Sequence, residues 1–166
     1  IIELVQEQQN KNNLAFLLAF CVLSKKGEVN FPFVFSMINS KNPRERYMAI
    51  RCVKKLIKSD IFNEDLISES LKHFEDDSIV VQIETIDLIG ELSKNNEFPI
   101  ENFFEIVLHF YMCDNYFLYF ISYESLKKFI ERISLEKLSL LVPLILSDFE
   151  ECLSNEETYE LLISLS

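Results

Sequence analysis

Apolar side chains in the segment 71–92 recur at the spacing of one face of an amphipathic helix. The residues that share this face are Val81, Thr85, Ile86, Ile89 and Leu92. An acidic turn at residues 75–77 separates this helix from a shorter apolar stretch that precedes it. The segment therefore predicts two helices joined by a tight turn.

The same pattern recurs on both sides of this segment. Thirty-six residues before Thr85, the equivalent positions hold Ala49, Ile50, Val53 and Leu56. Thirty-seven residues after it, they hold Ser122, Tyr123, Leu126 and Phe129. A fainter copy lies 30 residues before Ala49, at Ala19, Phe20 and Leu23. A helix pair that repeats at this period is typical of an α-solenoid, in which each pair stacks on the next.

The composition and the helix-start signals agree with an all-α fold. The 166 residues include only two glycines and four prolines, and strand-like alternation is scarce. Helix starts are predicted at Asn42, Asn63 and Ser134, which are good N-terminal caps. The predicted helices are 1–9, 14–25, 31–38, 43–58, 63–74, 78–94, 99–112, 115–132, 134–151 and 156–166. Pro143 is expected to kink or split the helix that contains it.

We therefore expect one segment, residues 1–166, that forms a right-handed α-α superhelix of four to five antiparallel helix pairs. The approximate repeats are 1–26, 31–58, 62–94, 99–132 and 134–166. The chain does not begin with Met, and no stop signal follows its last helix. These two features favour a piece of a longer protein.

The turn and the helix that follows it resemble the HEAT repeat, the unit of one armadillo-like class of α-solenoid proteins. HEAT turns are rich in Asp, and the second helix begins Val-Arg-x-x-Ala and ends Leu-Gly-x-Leu. Here two Asp fill the turn, and the segments 81–85 (VQIET) and 89–92 (IGEL) fill the helix. Arg46 and Ala49 hold the Arg and Ala positions of the preceding copy. Residues 42–51 are also similar, locally, to adaptin large chains.

The sequence departs from the HEAT pattern at two positions. Gln82 and Tyr119 stand where the family has an Arg that bonds the turn Asp, so we expect the ladder of Asp–Arg pairs to be broken.

The resemblance implies a binding surface. In HEAT proteins the second helices line a groove that binds partners, on the face opposite the small buried residues. At 100° per residue, this predicted groove contains Met48, Arg51, Lys55, Val80, Glu84, Asp87, Glu91, Phe117, Ile121 and Glu124. We expect two ladders of charged pairs across it, Arg51–Asp87–Glu124 and Lys55–Glu91–Lys128. The resemblance implies that a partner helix or linear segment, which can carry basic residues, binds along the apolar members of this groove, Met48, Val80, Phe117 and Ile121.

We accordingly expect a non-enzymatic protein-interaction scaffold, a subunit of a larger intracellular complex in the cytoplasm or nucleus. The alternative is a vesicle-coat or nuclear-transport subunit of the adaptin or importin-β type. A tubulin-binding HEAT array is disfavoured, because such arrays present Trp and Lys on their turns. This chain has no Trp, and its turn at 75–77 is acidic.

Other classes of function find little support. The net charge of −11 argues against nucleic acid as the main partner. His73 and His109 have no neighbouring ligand or nucleophile, so no catalytic, metal or cofactor site is expected. An enzyme whose carboxylates converge in a pocket stays open as an alternative.

The four cysteines are far apart, which favours reduced thiols. No apolar run is long enough to span a bilayer. The aromatic run 103–123 contains no Lys or Arg, which favours core packing over base stacking.

Overall fold

The computed structural model describes residues 30–151, and every regular element in that range is helical. Its seven α-helices are α1 Phe31–Ile38, α2 Pro43–Ile57, α3 Glu64–Leu71, α4 Ile79–Leu92, α5 Phe104–Tyr111, α6 Tyr116–Phe129 and α7 Leu135–Glu151. Short 3-10 helices occupy Lys72–Glu75 and Ile100–Asn102. The prediction of an all-α chain is confirmed for this part of the sequence. The predicted helices 1–9, 14–25 and 156–166, and with them the repeat 1–26, lie outside the described residues.

The chain divides between Glu91 and Leu92 into two compact units. In the first unit, α1, α2 and α3 pack against one another. In the second unit, α5 and α6 form a packed helical hairpin whose aromatic contact is a stack of Tyr111 on Tyr119, with ring centroids 5.0 Å apart. A single continuous stack of repeats stays a prediction.

Side-chain caps fix the helix starts as the sequence predicts. The Oδ1 atom of Asn42 accepts a hydrogen bond from the backbone N–H of Arg44 at 3.1 Å. Asn63 does the same for Leu66 at 3.0 Å, and Ser134 Oγ accepts from the N–H of Lys137 at 3.4 Å. Each cap satisfies a backbone donor that the first helical turn leaves without a partner.

Several predicted helices are shorter in the structure, and one is more regular than expected. The predicted helix 63–74 ends as an α-helix at Leu71 and continues as a 3-10 turn, and 99–112 begins with a 3-10 turn. The helix with Pro143 is not split, because α7 runs through it without a break. Leu141 and Ile145 are fully buried on either side of the exposed proline, so packing holds both halves in one helix.

The small residues of the repeat pattern are buried. Ala49, Thr85 and Ser122 have no solvent exposure. The hydroxyl of Thr85 donates to the backbone carbonyl of Val81 at 2.9 Å, so its polar group is satisfied inside the core. The positions that the 36- and 37-residue offsets single out therefore share one physical property, complete burial.

Candidate functional site

The predicted groove is only partly exposed to solvent. Arg51, Lys55, Val80 and Phe117 are exposed, while Asp87, Ile121 and Glu124 are half-buried. The guanidinium of Arg51 donates to the hydroxyl of Tyr47 at 2.5 Å and lies over the same ring. Seven of the ten predicted positions therefore offer surface to a partner.

The expectation that Met48, Glu84 and Glu91 face solvent is wrong, because all three are buried. An angle of 100° per residue gives the direction of a helical face but not the width of the arc that neighbouring helices cover. On α2 and α4 this arc is broad: most residues of both helices are buried. Side chains at the border of the predicted face are therefore covered.

A buried ionic cluster links α2 to α4. The ammonium of Lys54 lies 2.5 Å from Oε1 of Glu84 and donates a hydrogen bond to the carboxylate of Asp87. Directly after the end of α2, Lys58 Nζ lies 3.5 Å from Oε2 of Glu91. Burial alone would lower the pKa of Lys54, but the hydrogen bonds and charges of the two carboxylates outweigh it and raise that pKa.

The pairing differs from the predicted ladders by one helical turn. Lys54 bonds Asp87 and Lys58 meets Glu91, whereas the predicted ladders begin at Arg51 and Lys55. Each cation thus lies three residues beyond the predicted one. The physical reason is the direction of side chains in a helix, which lean toward its N-terminus. Because of this lean, a long lysine side chain reaches a carboxylate of α4 that lies about one turn before the residue 36 positions after the lysine. The last members of the two predicted ladders, Glu124 and Lys128, belong to the second unit. There Glu124 Oε1 lies 3.8 Å from Lys127 Nζ.

A second cluster centres on Asp76, in the turn before α4. Arg46 donates to both carboxylate oxygens, from Nε at 2.7 Å and from Nη2 at 2.6 Å. The backbone N–H of Ser78 donates to Oδ1 at 2.9 Å, and Nδ1 of His73 lies 2.8 Å from Oδ2. Burial alone would raise the pKa of Asp76, but these hydrogen bonds and the charge of Arg46 lower it.

Arg46 joins three segments of the first unit. Besides its pair with Asp76, its Nη1 atom donates to the backbone carbonyls of Ser40 at 2.9 Å and Lys41 at 3.1 Å. The hydrogen bond to Asp76 in turn raises the pKa of the guanidinium. An Arg of one predicted repeat therefore bonds the turn Asp of the next. The sequence contains a signal for this pair, since both residues match the HEAT pattern quoted above.

The second unit exposes an apolar surface where α5 ends and α6 begins. We call it the α5–α6 patch; it consists of Met112, Tyr116, Phe117 and Phe120. Tyr116 is 65 % exposed and Phe117 is 67 % exposed. The prediction that the aromatic run 103–123 packs in the core is therefore right for some members and wrong for Tyr116 and Phe120, whereas the exposure of Phe117 agrees with its place in the predicted groove. The buried aromatic residues of this run are Phe104, Phe110, Tyr111 and Tyr123.

An open cleft of about 520 Å³ lies between α1 and α3. Phe31, Phe35 and Leu66 give it an apolar floor, and Asp65 and Glu69 give it an acidic rim. The Nζ atom of Lys72 lies 2.6 Å from Glu69, and this hydrogen bond lowers the pKa of Glu69. No nucleophile and base converge among these lining residues, so the cleft offers shape and charge but no evident chemistry.

The part of the chain that the structure describes contains no evident group of side chains for catalysis or for metal binding. His73 is engaged by Asp76, and His109 is an exposed residue whose ring meets the edge of Phe110. Residues 30–151 contain no group of three or more His, Cys, Asp or Glu placed to hold a metal ion. Within the same range Cys52 and Cys113 are thiols, and no helix is both long and apolar enough to cross a membrane.

Comparisons with family models, with curated protein sequences and with solved structures find no match for this chain. The resemblance to HEAT repeats therefore depends on the residues quoted above.

Proposed function

We propose that this chain is a non-enzymatic protein-interaction scaffold built from HEAT-like helix pairs, and that it works inside the cell as part of a larger complex. The observation that carries the proposal is the exposure of Phe117 and its aromatic neighbours on α6. The opposite face of the same helix is buried through Leu118, Ser122 and Leu126. An apolar surface of adjoining side chains that stays in solvent is typical of a protein-binding site.

Two features support the repeat architecture within this proposal. The buried small residues Ala49, Thr85 and Ser122 recur at the predicted offsets. The bidentate pair of Arg46 with Asp76 connects the second helix of one predicted repeat to the turn of the next. A solenoid needs such nearest-neighbour contacts, because each repeat is stabilised by the repeats beside it.

The binding residues that we propose are the exposed and half-buried members of the predicted groove. They are Arg51, Lys55, Val80, Asp87, Phe117, Ile121 and Glu124. Met48, Glu84 and Glu91 drop out as direct contacts, because burial removes them from a partner's reach. A coat or transport subunit of the adaptin or importin-β type is a narrower form of the same proposal, which rests on the local likeness at residues 42–51.

Affinity capture from native extract tests this proposal. The bait is the intact chain, compared with the double variant Val80→Asp, Phe117→Asp and with Leu135→Asp as a matched control. Leu135 is 84 % exposed and lies outside the predicted groove, so the same change there places a charge on an unrelated surface. Circular dichroism checks that each bait is folded.

We expect the double variant to lose the captured partners, since a buried aspartate at an apolar contact is left without a partner of its own. The Leu135→Asp bait should retain them. Capture that is unchanged in a folded double variant would place the binding surface elsewhere and refute the proposal.

A further inference from the structure

The α5–α6 patch concentrates aromatic rings at one end of a helical hairpin. The ring of Tyr116 meets Phe117 edge-on, with centroids 5.9 Å apart, and stacks on Phe120 at 6.5 Å. Met112, the last member, is more than half exposed and adds a flexible thioether at the end of α5. Tyr116 contacts both other rings, and all three are exposed to solvent, so together they form an apolar platform.

The electrostatic surroundings of this platform are acidic. Residues 95–126 contain no Lys or Arg and five acidic residues, of which Glu101 and Glu105 lie 3.5 Å and 3.8 Å from Nζ of Lys137. Asp114 lies in the turn two residues before Tyr116, and Glu124 follows Phe120 by one helical turn. The lysines of α6, Lys127 and Lys128, begin two turns after Phe120, about 10 Å along the helix axis. Asp114 therefore lies on the turn side of the platform, and Glu124, whose Oε1 atom is 3.8 Å from Lys127 Nζ, lies on the opposite side.

The chain itself shows how such rings bind cations. Lys127 Nζ lies 5.3 Å from the ring centre of Tyr123, and Lys137 Nζ lies 5.2 Å from that of Phe104. Among the described residues, the cation–ring contacts use the rings of Tyr47, Phe104 and Tyr123 and none of the rings of the α5–α6 patch. The patch thus presents aromatic faces of the same kind to whatever approaches from solvent.

We propose that the α5–α6 patch binds a segment of a partner protein that carries Lys or Arg beside apolar anchor side chains. The anchors bury against Tyr116, Phe117 and Phe120, while the partner's cations lie over the rings and beside Asp114 and Glu124. This inference rests on the proposed function and deepens it, because it assigns one surface and one class of partner to the scaffold.

Charge favours this occupant over the alternatives. A nucleic-acid backbone and an anionic membrane surface would both be repelled by the acidic border. A second copy of the chain, docked patch to patch, would bring Asp114 and Glu124 of each copy near those of the other, and like charges in contact cost affinity. A basic segment instead makes favourable charge interactions with these carboxylates.

Selection from a random peptide library displayed on phage tests the proposal without a known partner. The intact chain is the bait, and selected peptides are then measured by fluorescence anisotropy against the wild type and against three variants. The first is Phe117→Asp with Phe120→Asp, which disrupts the platform. The second is Asp114→Lys with Glu124→Lys, which reverses the border and leaves the rings in place. The third is Leu135→Asp, which places a charge at an exposed residue outside both the patch and the predicted groove.

We expect selected peptides to combine Lys or Arg with Leu, Met or aromatic residues. Their affinity should fall about 30-fold in the platform variant, the loss of one strong anchor. It should also fall in the border variant, and on raising salt from about 0.1 M to about 1 M, which shortens the screening length from about 10 Å to about 3 Å. Leu135→Asp should leave these affinities unchanged.

The opposite outcomes are equally clear. Peptides that are acidic, or that bind the platform variant as well as the wild type, would overturn the inference. So would a selection that yields no peptide. Peptides that bind both the platform variant and the border variant as tightly as the wild type, together with capture from extract that Val80→Asp alone abolishes, would overturn the inference and leave the proposed function standing, because a protein-binding surface would then exist on the first unit.

Discussion

Replacing Asp76 with Ala should destabilise the first unit more than any comparable surface change. The carboxylate is only 4 % exposed, and the guanidinium of Arg46 that it binds is 13 % exposed. Removing one partner of a buried pair costs about 3–5 kcal/mol. We take the lower end, about 3 kcal/mol, because Arg46 keeps its bonds to two backbone carbonyls. Losing the hydrogen bond from the N–H of Ser78 adds about 1 kcal/mol, as at other caps.

Urea denaturation followed by circular dichroism measures this loss. With a slope of about 2 kcal/mol per molar urea, a change of about 4 kcal/mol lowers the midpoint by about 2 M. Asp77→Ala is the matched control, because this neighbour is exposed, and it should change stability by no more than about 0.5 kcal/mol. A double-mutant cycle with Arg46→Met isolates the pair and should give a coupling of about 2–3 kcal/mol. A coupling below about 0.5 kcal/mol would refute the view that this pair joins neighbouring repeats.

The same cluster predicts a pH dependence with a definite sign. The pKa of Asp76 in the folded chain lies below its ordinary value of 3.8. Its contribution to stability is therefore complete above that value and is lost as pH falls through the lowered pKa. The Asp76→Ala variant should lack this part of the acid destabilisation, so its unfolding free energy should approach that of the wild type at low pH.

Two further predictions concern cations that the sequence did not single out. Lys54→Met should cost about 3 kcal/mol, because Glu84 is left buried without its cation, whereas the exposed Lys55→Met should stay within about 0.5 kcal/mol; equal effects in urea denaturation would contradict the pairing. Arg132 bonds the carbonyls of Ser93, Asn95, Asn96 and Phe98, so Arg132→Ala should open this loop by about 2 kcal/mol and speed tryptic cleavage after Lys94 about 30-fold. An unchanged cleavage rate would show that the loop is held by other contacts.

The sequence predicts the helices and their starts because those depend on local rules. The period of apolar residues located every α-helix between 31 and 151, and the caps at Asn42, Asn63 and Ser134 are present. Helix ends were less well predicted, since 3-10 turns extend or precede several helices and follow no strong local signal.

The binding surface was harder to predict, because exposure depends on how widely neighbours cover a helix. Periodicity correctly placed Phe117 on an exposed face and Thr85 on a buried one. It could not tell that Glu84 is covered, or that Lys54 and not Lys55 turns inward to the carboxylates of α4. These outcomes depend on the length and direction of side chains across a helix contact, which one sequence does not specify.

Site-specific photo-crosslinking in the native cell tests the central claim, that exposed faces of the second helices bind other proteins. A photoreactive phenylalanine analogue replaces Phe117, Val80 or, as the control, Leu135, and adducts are identified by mass spectrometry after irradiation. The account predicts discrete adducts with other proteins from positions 117 and 80, and few or none from position 135, although that position is the most exposed of the three. No adduct from position 117, or equal adducts from position 135, would contradict it.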